Sequence, residues 1–198
     1  MPKSEWSPAD IYGGTQPTQL EVLRDLAATV RPPNVILEIG ALRGKGSCYL
    51  GLGAQEGFGA HVYSVDPWAS LSVLTTNENT AWTREFRIES RRMWQANVNR
   101  VGVADFVTPV ECRSAEIAKV WRDSIGLLFI DGDHTAAGIR ADYEGFAPYV
   151  VPGGWLAMHD YCPEWKAIFD FTHEVILASG EWEQRHHVHT LLALQRSR

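Results

Sequence analysis

Residues 35–47 constrain the fold of this chain more than any other stretch. An apolar run that contains one acid, Glu38, leads into three spaced glycines, Gly40, Gly44 and Gly46. Unbroken apolar runs are typical of parallel strands that are buried on both faces. The glycines allow a tight turn and a close approach of backbone to a ligand, and the helix that follows presents free N–H groups there. The stretch therefore predicts the first strand, turn and helix of a doubly wound nucleotide-type site.

Composition narrows the class of protein. A chain of 198 residues that is 45% hydrophobic predicts a single domain, residues 1–198, with a full core. The net charge of -6 argues against a nucleic-acid partner, which requires a basic surface. No apolar run reaches the roughly 20 residues of a membrane span, and the N-terminus lacks the apolar core of a signal peptide. Three scattered cysteines without a Cys-x-x-Cys motif indicate a reduced protein, which we expect to be cytoplasmic.

Further apolar runs predict five more strands. They span residues 61–66, 106–111, 125–131, 153–161 and 187–194. The alternation of strands with helical segments predicts an α/β fold with a doubly wound, mostly parallel sheet. Pro109 indicates that the strand 106–111 lies near a sheet edge, because proline has no N–H to donate to a neighbouring strand.

The segments between the strands carry weaker predictions. Residues 1–18 are expected to form a coil that serves as a lid, and residues 67–82 a substrate-facing insertion, with a solvent loop as the alternative. The helix after Ser47 is expected to break up in the glycines from Gly51 to Gly59. The arginines of the helix at 82–100 alternate with acids, which favours a solvated helix face over an anion site.

Acidic residues end four of the predicted parallel strands. They are Glu38, Asp66, Asp131 and Asp160, the last of which follows His159. The carboxyl ends of parallel strands meet at one edge of a sheet, so these acids would repel one another unless positive charge lay between them. A cationic cofactor, a metal ion or both would neutralise them. The phosphates of a dinucleotide suit this site poorly, whereas a sulfonium nucleoside such as S-adenosylmethionine suits it well.

Asp66 has a specific expected role within this group of acids. It ends a strand about 20 residues after the glycine turn, which is where Rossmann-type sites place the carboxylate that binds the two ribose hydroxyls. The alternative is that Asp66 only begins the turn before Pro67.

Two motifs carry a resemblance to a known family. Residues 38–47 together with Asp66 resemble class I S-adenosylmethionine-dependent methyltransferases. Residues 130–134, Ile-Asp-Gly-Asp-His, paired with residues 152–161, are similar to the macrocin O-methyltransferase and cephalosporin-hydroxylase-like group of that class. The resemblance covers roughly residues 34–162. It implies a Rossmann-like sheet of seven strands with helices on both faces and an antiparallel last strand.

The resemblance also implies a metal site and a general base. In that group, the positions that match Asp131, His159 and Asp160 hold a magnesium ion. A carboxylate is usual where this chain has His159, so Mn²⁺, or a site of Asp131 and Asp160 completed by water, is the alternative. The same comparison suggests His134 as the general base, with Asp133 as the competing base or as an orienting carboxylate.

The predicted function is a metal-dependent O-methyltransferase that acts on a hydroxyl of a sugar or sugar-containing small molecule. The cofactor is expected to contact the glycine turn, the end of the second strand and the loops after the third and fourth strands, at Glu38, Gly40, Ala41, Gly44, Ser47, Asp66, Trp68, Ser114, Ala115 and Asp131. Aromatic residues are expected to stack on the sugar, namely Tyr12, Trp68 and Trp82.

Two other classes of protein remain as alternatives. A nicotinamide-dependent oxidoreductase would share the fold, although its short-chain form needs a Tyr-x-x-x-Lys pair that this sequence lacks. A non-catalytic S-adenosylmethionine-binding protein would keep the glycine turn without a catalytic residue. The sequence leaves open the identity of the acceptor and the oligomeric state, a homo-oligomer included.

Overall fold

A computed structural model describes residues 6–70 and 83–197. In these residues seven strands form one sheet in the order β3-β2-β1-β4-β5-β7-β6. The strands are β1 (Val35–Ile39), β2 (Val62–Val65), β3 (Val107–Val110), β4 (Ile125–Ile130), β5 (Val150–Met158), β6 (Trp182–Val188) and β7 (Leu191–Arg196). Strands β1 to β5 are parallel, and β7 is antiparallel to both β5 and β6. The predicted fold class is thereby confirmed, and Pro109 lies in the edge strand β3 as expected.

Helices cover both faces of this sheet. The α-helices of the described residues are α1 (Pro17–Thr29), α2 (Lys45–Glu56), α3 (Arg84–Val101), α4 (Ser114–Ile117), α5 (Ala136–Phe146) and α6 (Lys166–Phe171). A π-helical turn, Thr172–Ile176, continues α6, and 3-10 turns lie at Pro8–Asp10, Ala147–Tyr149 and Leu177–Ser179. In the part of the chain that is described, no helix has the length and apolar character needed to cross a bilayer.

Strand β1 contributes to the hydrophobic core on both faces of the sheet. Ile36 belongs to one buried cluster, whereas Leu37 and Ile39 belong to the cluster on the opposite face. Each fully buried aliphatic side chain of this kind stabilises the fold by about 1.5–3 kcal/mol. The unbroken apolar run of β1 is therefore explained by burial on two faces.

Of the glycines predicted to break up the helix after Ser47, Gly51 and Gly53 do not interrupt α2, which ends only at its C-cap Gly57. A Cβ added to Gly51 would lie 2.7 Å from Val107 Cγ2, and one on Gly53 would lie 2.1 Å from the carbonyl oxygen of Arg24. The missing side chains allow α2 to pack directly against its neighbours. Packing thus outweighs the low helix propensity of glycine.

The end of the chain also differs from the prediction. A hairpin of β6 and β7 replaces the single strand expected at 187–194, and it turns at His189, whose φ is +53°.

In the segment expected to be a lid, the described part contains the 3-10 turn Pro8–Asp10. Most of the expected insertion at 67–82, with Trp82, lies outside the described residues.

Candidate active site

The glycine turn brings the end of β1 against the end of β4. Gly40 has a φ of +91°, and a Cβ there would lie only 2.0 Å from the carbonyl oxygen of Asp131. The N–H of Asp131 donates to the carbonyl of Ile39 at 2.8 Å, which aligns the two strand ends. Ala41 is buried, and its carbonyl accepts a hydrogen bond from the N–H of Gly44 at 2.7 Å, closing the turn. The position of Gly40 therefore requires a residue without a side chain.

Glu38 lies beneath this turn instead of at the rim of the sheet. Its side chain is 1% exposed and accepts hydrogen bonds from the hydroxyls of Ser47 and Ser64, the latter at 2.6 Å. Burial raises the pKa of Glu38 to about 7, although both serine hydrogen bonds oppose the shift. The buried Ser47 hydroxyl also accepts a hydrogen bond from the Trp94 indole at 2.8 Å. These hydrogen bonds argue against the expected cofactor contacts of the Glu38 and Ser47 side chains, which instead fix the start of α2.

Asp66 joins the turn after β2 to the glycine turn. Its Oδ2 atom accepts a hydrogen bond from the N–H of Leu42 at 2.9 Å, and its Oδ1 atom accepts one from the N–H of Trp68 at 2.8 Å. Burial raises the pKa of Asp66, and these backbone hydrogen bonds oppose the shift. Backbone N–H groups of Leu42, Trp68 and Ala41 thus occupy part of the acceptor capacity of the carboxylate, and the binding of ribose hydroxyls by Asp66 stays a prediction.

Trp68 is a core residue, which argues against its expected contact with the cofactor and its expected stacking on the sugar. The indole is 1% exposed and donates to the carbonyl of Leu42 at 2.7 Å. Its ring packs edge to face with that of Trp94, at a centroid distance of 5.8 Å. The guanidinium of Arg91 lies 5.3 Å from the Trp68 ring and 5.1 Å from the Trp94 ring. This arginine therefore packs on two indoles, although a solvated position was expected for it.

Of the other two aromatic residues expected to stack on a sugar, Tyr12 is exposed and lies under the guanidinium of Arg43.

Ser114 and Ala115 begin α4, in the loop where contact with adenine is expected. The Ser114 side chain is hydrogen-bonded to the carboxyl of Asp142, which is buried on α5. The Oδ2 atom of Asp142 also lies 3.1 Å from the place where a Cβ on Gly132 would stand. Asp142 thus connects the loops after β3 and β4. No sequence pattern distinguishes it from the other acids on the helices.

Four side chains from the ends of β4 and β5 form a charged cluster. Single ligand atoms of Asp131, His134 and Asp160 all lie within 4.8 Å of one another. The Nε2 atom of His134 lies 3.2 Å from Oδ2 of Asp160 and 3.9 Å from Oδ1 of Asp131. The Nδ1 atom of His159 lies 3.2 Å from one oxygen of each carboxylate. Neighbouring parallel strands explain the convergence, because Ile130 pairs in register with Met158.

His159 is buried, yet neither ring nitrogen has a hydrogen-bond partner among the described residues. The contacts of Nδ1 with the carboxylates, at 3.2 Å, are therefore close ionic contacts whose angles do not suit hydrogen bonds. Two carboxylates beside an imidazole nitrogen that is free to bind form a donor set suited to a divalent cation. The geometry also brings His134 into the ligand group, a residue that was expected as a base and not as a ligand.

The histidines and carboxylates of the cluster shift one another's pKa values. Burial lowers the pKa of His159, but the contacts with Asp131 and Asp160 outweigh this effect and raise it to about 10. Burial raises the pKa of Asp131, but the contacts with His134 and His159 bring it below its usual value. The contact with Asp131 raises the pKa of His134. Without another cation, the two imidazoles therefore compensate the negative charge of the carboxylates.

The structure separates the two residues expected to compete as bases. Asp133 is exposed, and its Oδ1 atom accepts a hydrogen bond from the N–H of Thr135 at 2.9 Å, in the turn before α5. His134 points into the cluster. Sequence analysis missed Trp165, whose ring centroid lies 4.6 Å from that of His134. A tryptophan in a polar loop just after the Asp160 strand end is the signal that could have identified it.

Comparisons with known proteins agree with this architecture. Residues 37–161 match the model of a family described as a methyltransferase domain. The O-methyltransferase NovP is 17% identical with a TM-score of 0.68, over 92% of this chain and 81% of that one. TomG, an O-methyltransferase from Streptomyces achromogenes solved with S-adenosylmethionine, is 17% identical with a TM-score of 0.65, over 93% and 82%. CalS11, a TDP-rhamnose 3'-O-methyltransferase, is 16% identical with a TM-score of 0.63, over 90% and 77%. At these identities the structural likeness establishes the fold alone.

Proposed function

Since this chain belongs to the methyltransferase domain family, we propose that it transfers a methyl group from S-adenosylmethionine to a hydroxyl oxygen of a small molecule. One observation carries the proposal. The backbone of Gly40 meets that of Asp131, so the turn that would hold the cofactor adjoins the cluster that would act on the acceptor. Solved O-methyltransferases of this fold, including one bound to S-adenosylmethionine, support the choice of cofactor and of reaction.

The cofactor would be held by groups with free binding capacity around the glycine turn. S-adenosylmethionine, when bound, supplies a methyl group on a positively charged sulfur. Gly40 lets the turn pack directly against the Asp131 backbone, and the Asp66 carboxylate would accept hydrogen bonds from the ribose hydroxyls. Ser114 and Ala115 would contact adenine from the loop after β3. Glu38 would keep the start of α2 in place through Ser47.

The charged cluster would hold a divalent cation and the acceptor. Asp131 and Asp160, with a neutral His159 imidazole or with water, would bind Mg²⁺ or Mn²⁺, which when bound lowers the pKa of an acceptor hydroxyl. The unpartnered nitrogens of His159 support this assignment. Orientation of the acceptor oxygen in line with the methyl group supplies much of the rate acceleration.

His134 would be the general base, because its side chain is 31% exposed within the cluster while Asp133 is engaged in a turn. The contact with Asp131 raises the pKa of His134, so the imidazole is neutral, and able to take a proton from the acceptor, only when another cation compensates the carboxylates. A divalent cation bound by Asp131 and Asp160 would supply that charge. His134 then holds the proton that the acceptor hydroxyl releases.

We propose a sugar or a sugar-containing small molecule as the acceptor, because a vicinal diol presents two adjacent oxygens to a cluster of this kind. CalS11, which has the same fold, is described as acting on TDP-rhamnose, and this supports the proposal. Membership of the macrocin O-methyltransferase and cephalosporin-hydroxylase-like group is also proposed, on the motifs at residues 130–134 and 152–161.

Calorimetry with S-adenosylhomocysteine and with NAD tests the cofactor directly. We expect binding of S-adenosylhomocysteine and none of NAD, followed by methyl transfer to members of a panel of sugars and phenols in the presence of Mg²⁺. Binding of NAD alone would support an oxidoreductase. Binding of S-adenosylhomocysteine without turnover on any panel member would favour a non-catalytic binding protein.

A further inference from the structure

Among the tryptophans that the structure describes, Trp165 stands out because its indole is exposed at the charged cluster. It is 45% exposed, whereas Trp68 and Trp94 are 1% and 0% exposed. An indole left in water forgoes the large stabilisation that burial of an aromatic ring brings. A solvent-facing indole beside reactive groups is therefore a candidate for contact with a ligand.

The backbone fixes Trp165 in this position. Its N–H donates to the carbonyl of Cys162 at 3.0 Å, and its own carbonyl accepts from the N–H groups of Ile168 and Phe169, each at 3.0 Å. The N–H of Cys162 in turn donates to the carbonyl of Asp160 at 2.9 Å. This turn connects Asp160 to Trp165. The backbone of Trp165 is thus held at a set place relative to the end of β5.

The ring of Trp165 also has a defined orientation. It packs edge to face with His134, with the ring planes at 74° and the centroids 4.6 Å apart. A molecule that presents a hydroxyl to the His134 imidazole therefore lies within one ring width of the indole. The distance leaves no space for another residue between the two groups.

We propose that Trp165 forms a wall of the acceptor subsite and selects a hydroxylated ring, whose apolar face packs on the indole while one of its hydroxyls reaches His134. The proposal rests on the proposed function and adds to it the residue that packs on the acceptor ring. A pyranose offers a face of C–H groups and a phenol a flat π-face, and an indole attracts both. A linear polyol has no flat face to present.

A binding experiment separates this role from a structural one. The proteins are wild type, Trp165→Ala, Trp165→Phe and the control Phe58→Ala, since Phe58 is 47% exposed and packs on Arg31 away from the cluster. The probes are methyl α-L-rhamnopyranoside and catechol, titrated by saturation-transfer NMR with saturating S-adenosylhomocysteine and Mg²⁺. The probe that binds distinguishes a sugar from a phenol.

We expect Trp165→Ala to weaken binding of the preferred probe about three- to ten-fold, as loss of one aromatic contact predicts. Trp165→Phe and Phe58→Ala should bind it nearly as the wild type does, and the affinity for S-adenosylhomocysteine should be unchanged in all four proteins. Equal probe affinity in Trp165→Ala and wild type would overturn the proposal, as would a wild type that binds S-adenosylhomocysteine but neither probe. Failure of the wild type to bind S-adenosylhomocysteine would overturn the proposed function itself.

Discussion

The Nε2 atom of His134 lies 3.2 Å from the Oδ2 atom of Asp160. The two residues are distant in sequence and meet because β4 and β5 are neighbouring parallel strands whose carboxyl ends align. Asp131 completes the group from the end of β4. This contact joins the proposed base to the proposed metal ligands, and the first two predictions depend on it.

Replacement of Asp160 by asparagine removes one negative charge from the cluster with little change in shape. We expect turnover to fall by about 10²-fold or more, while binding of S-adenosylhomocysteine is retained because the glycine turn is intact. Calorimetry and a methyl-transfer assay measure the two properties. The control is Asp170→Asn, which removes a carboxylate that pairs with Lys166 on α6. Full activity of Asp160→Asn in the presence of a chelator would contradict a metal-dependent mechanism.

Replacement of His134 by glutamine keeps a polar side chain but removes the group that accepts a proton. We expect kcat to fall by about 10²- to 10⁴-fold, the usual contribution of a general base, with the affinity for S-adenosylhomocysteine unchanged. His186→Gln, at an exposed position in β6, is the matched control. If the loss of activity is instead less than two-fold, another group acts as the base.

A methyl group at Gly40 has no room in the folded protein. We expect Gly40→Ala to lower the free energy of unfolding by roughly 2–4 kcal/mol, because the added Cβ would lie 2.0 Å from the Asp131 carbonyl oxygen and φ is +91°. Gly59→Ala controls for backbone strain alone, since φ is +74° and no atom lies within 4 Å of the added Cβ. It should cost about 1 kcal/mol. Urea denaturation measures both values, and equal losses would contradict the close approach of the two strand ends.

The buried carboxyl of Asp142 makes stability depend on pH. Burial raises its pKa from 3.8 to about 6, so the folded protein keeps a proton that the unfolded chain has released. The stabilising contribution of the protonated form is complete below pH 3.8 and is lost as the pH rises to about 6. The ionised carboxylate then destabilises the fold by about 2–3 kcal/mol.

The variant Asp142→Asn removes this titration. Denaturation experiments measure the free energy of unfolding of both proteins. As the pH rises from 4 to 7, the value for the variant minus the value for the wild type should therefore increase. Asp170→Asn, at a surface position, should follow the wild type. Parallel pH profiles for Asp142→Asn and the wild type would show that Asp142 is not the titrating group.

Much of the fold follows from local sequence patterns. The apolar run of β1 indicates burial on two faces, and Pro109 indicates an edge strand, because both are consequences of hydrogen bonding and burial within a strand. The meeting of Asp131 and Asp160 could also be expected, since parallel topology aligns the carboxyl ends of neighbouring strands. The hairpin at the end of the chain was not anticipated, because the turn at His189 carries no glycine or proline to mark it.

The sequence by itself determined that strand-end acids and a glycine turn share one edge of a parallel sheet. The spacing of hydrophobic residues and of glycines sets local backbone structure, and this pattern can be read from a few neighbouring residues. Only the tertiary structure decided which side chains stand at that edge. In the folded chain Glu38 is buried under α2 and Trp68 is buried in the core, whereas Trp165 is exposed beside His134. The physical reason is that burial and partner choice depend on contacts between segments far apart in the chain, which no local pattern encodes.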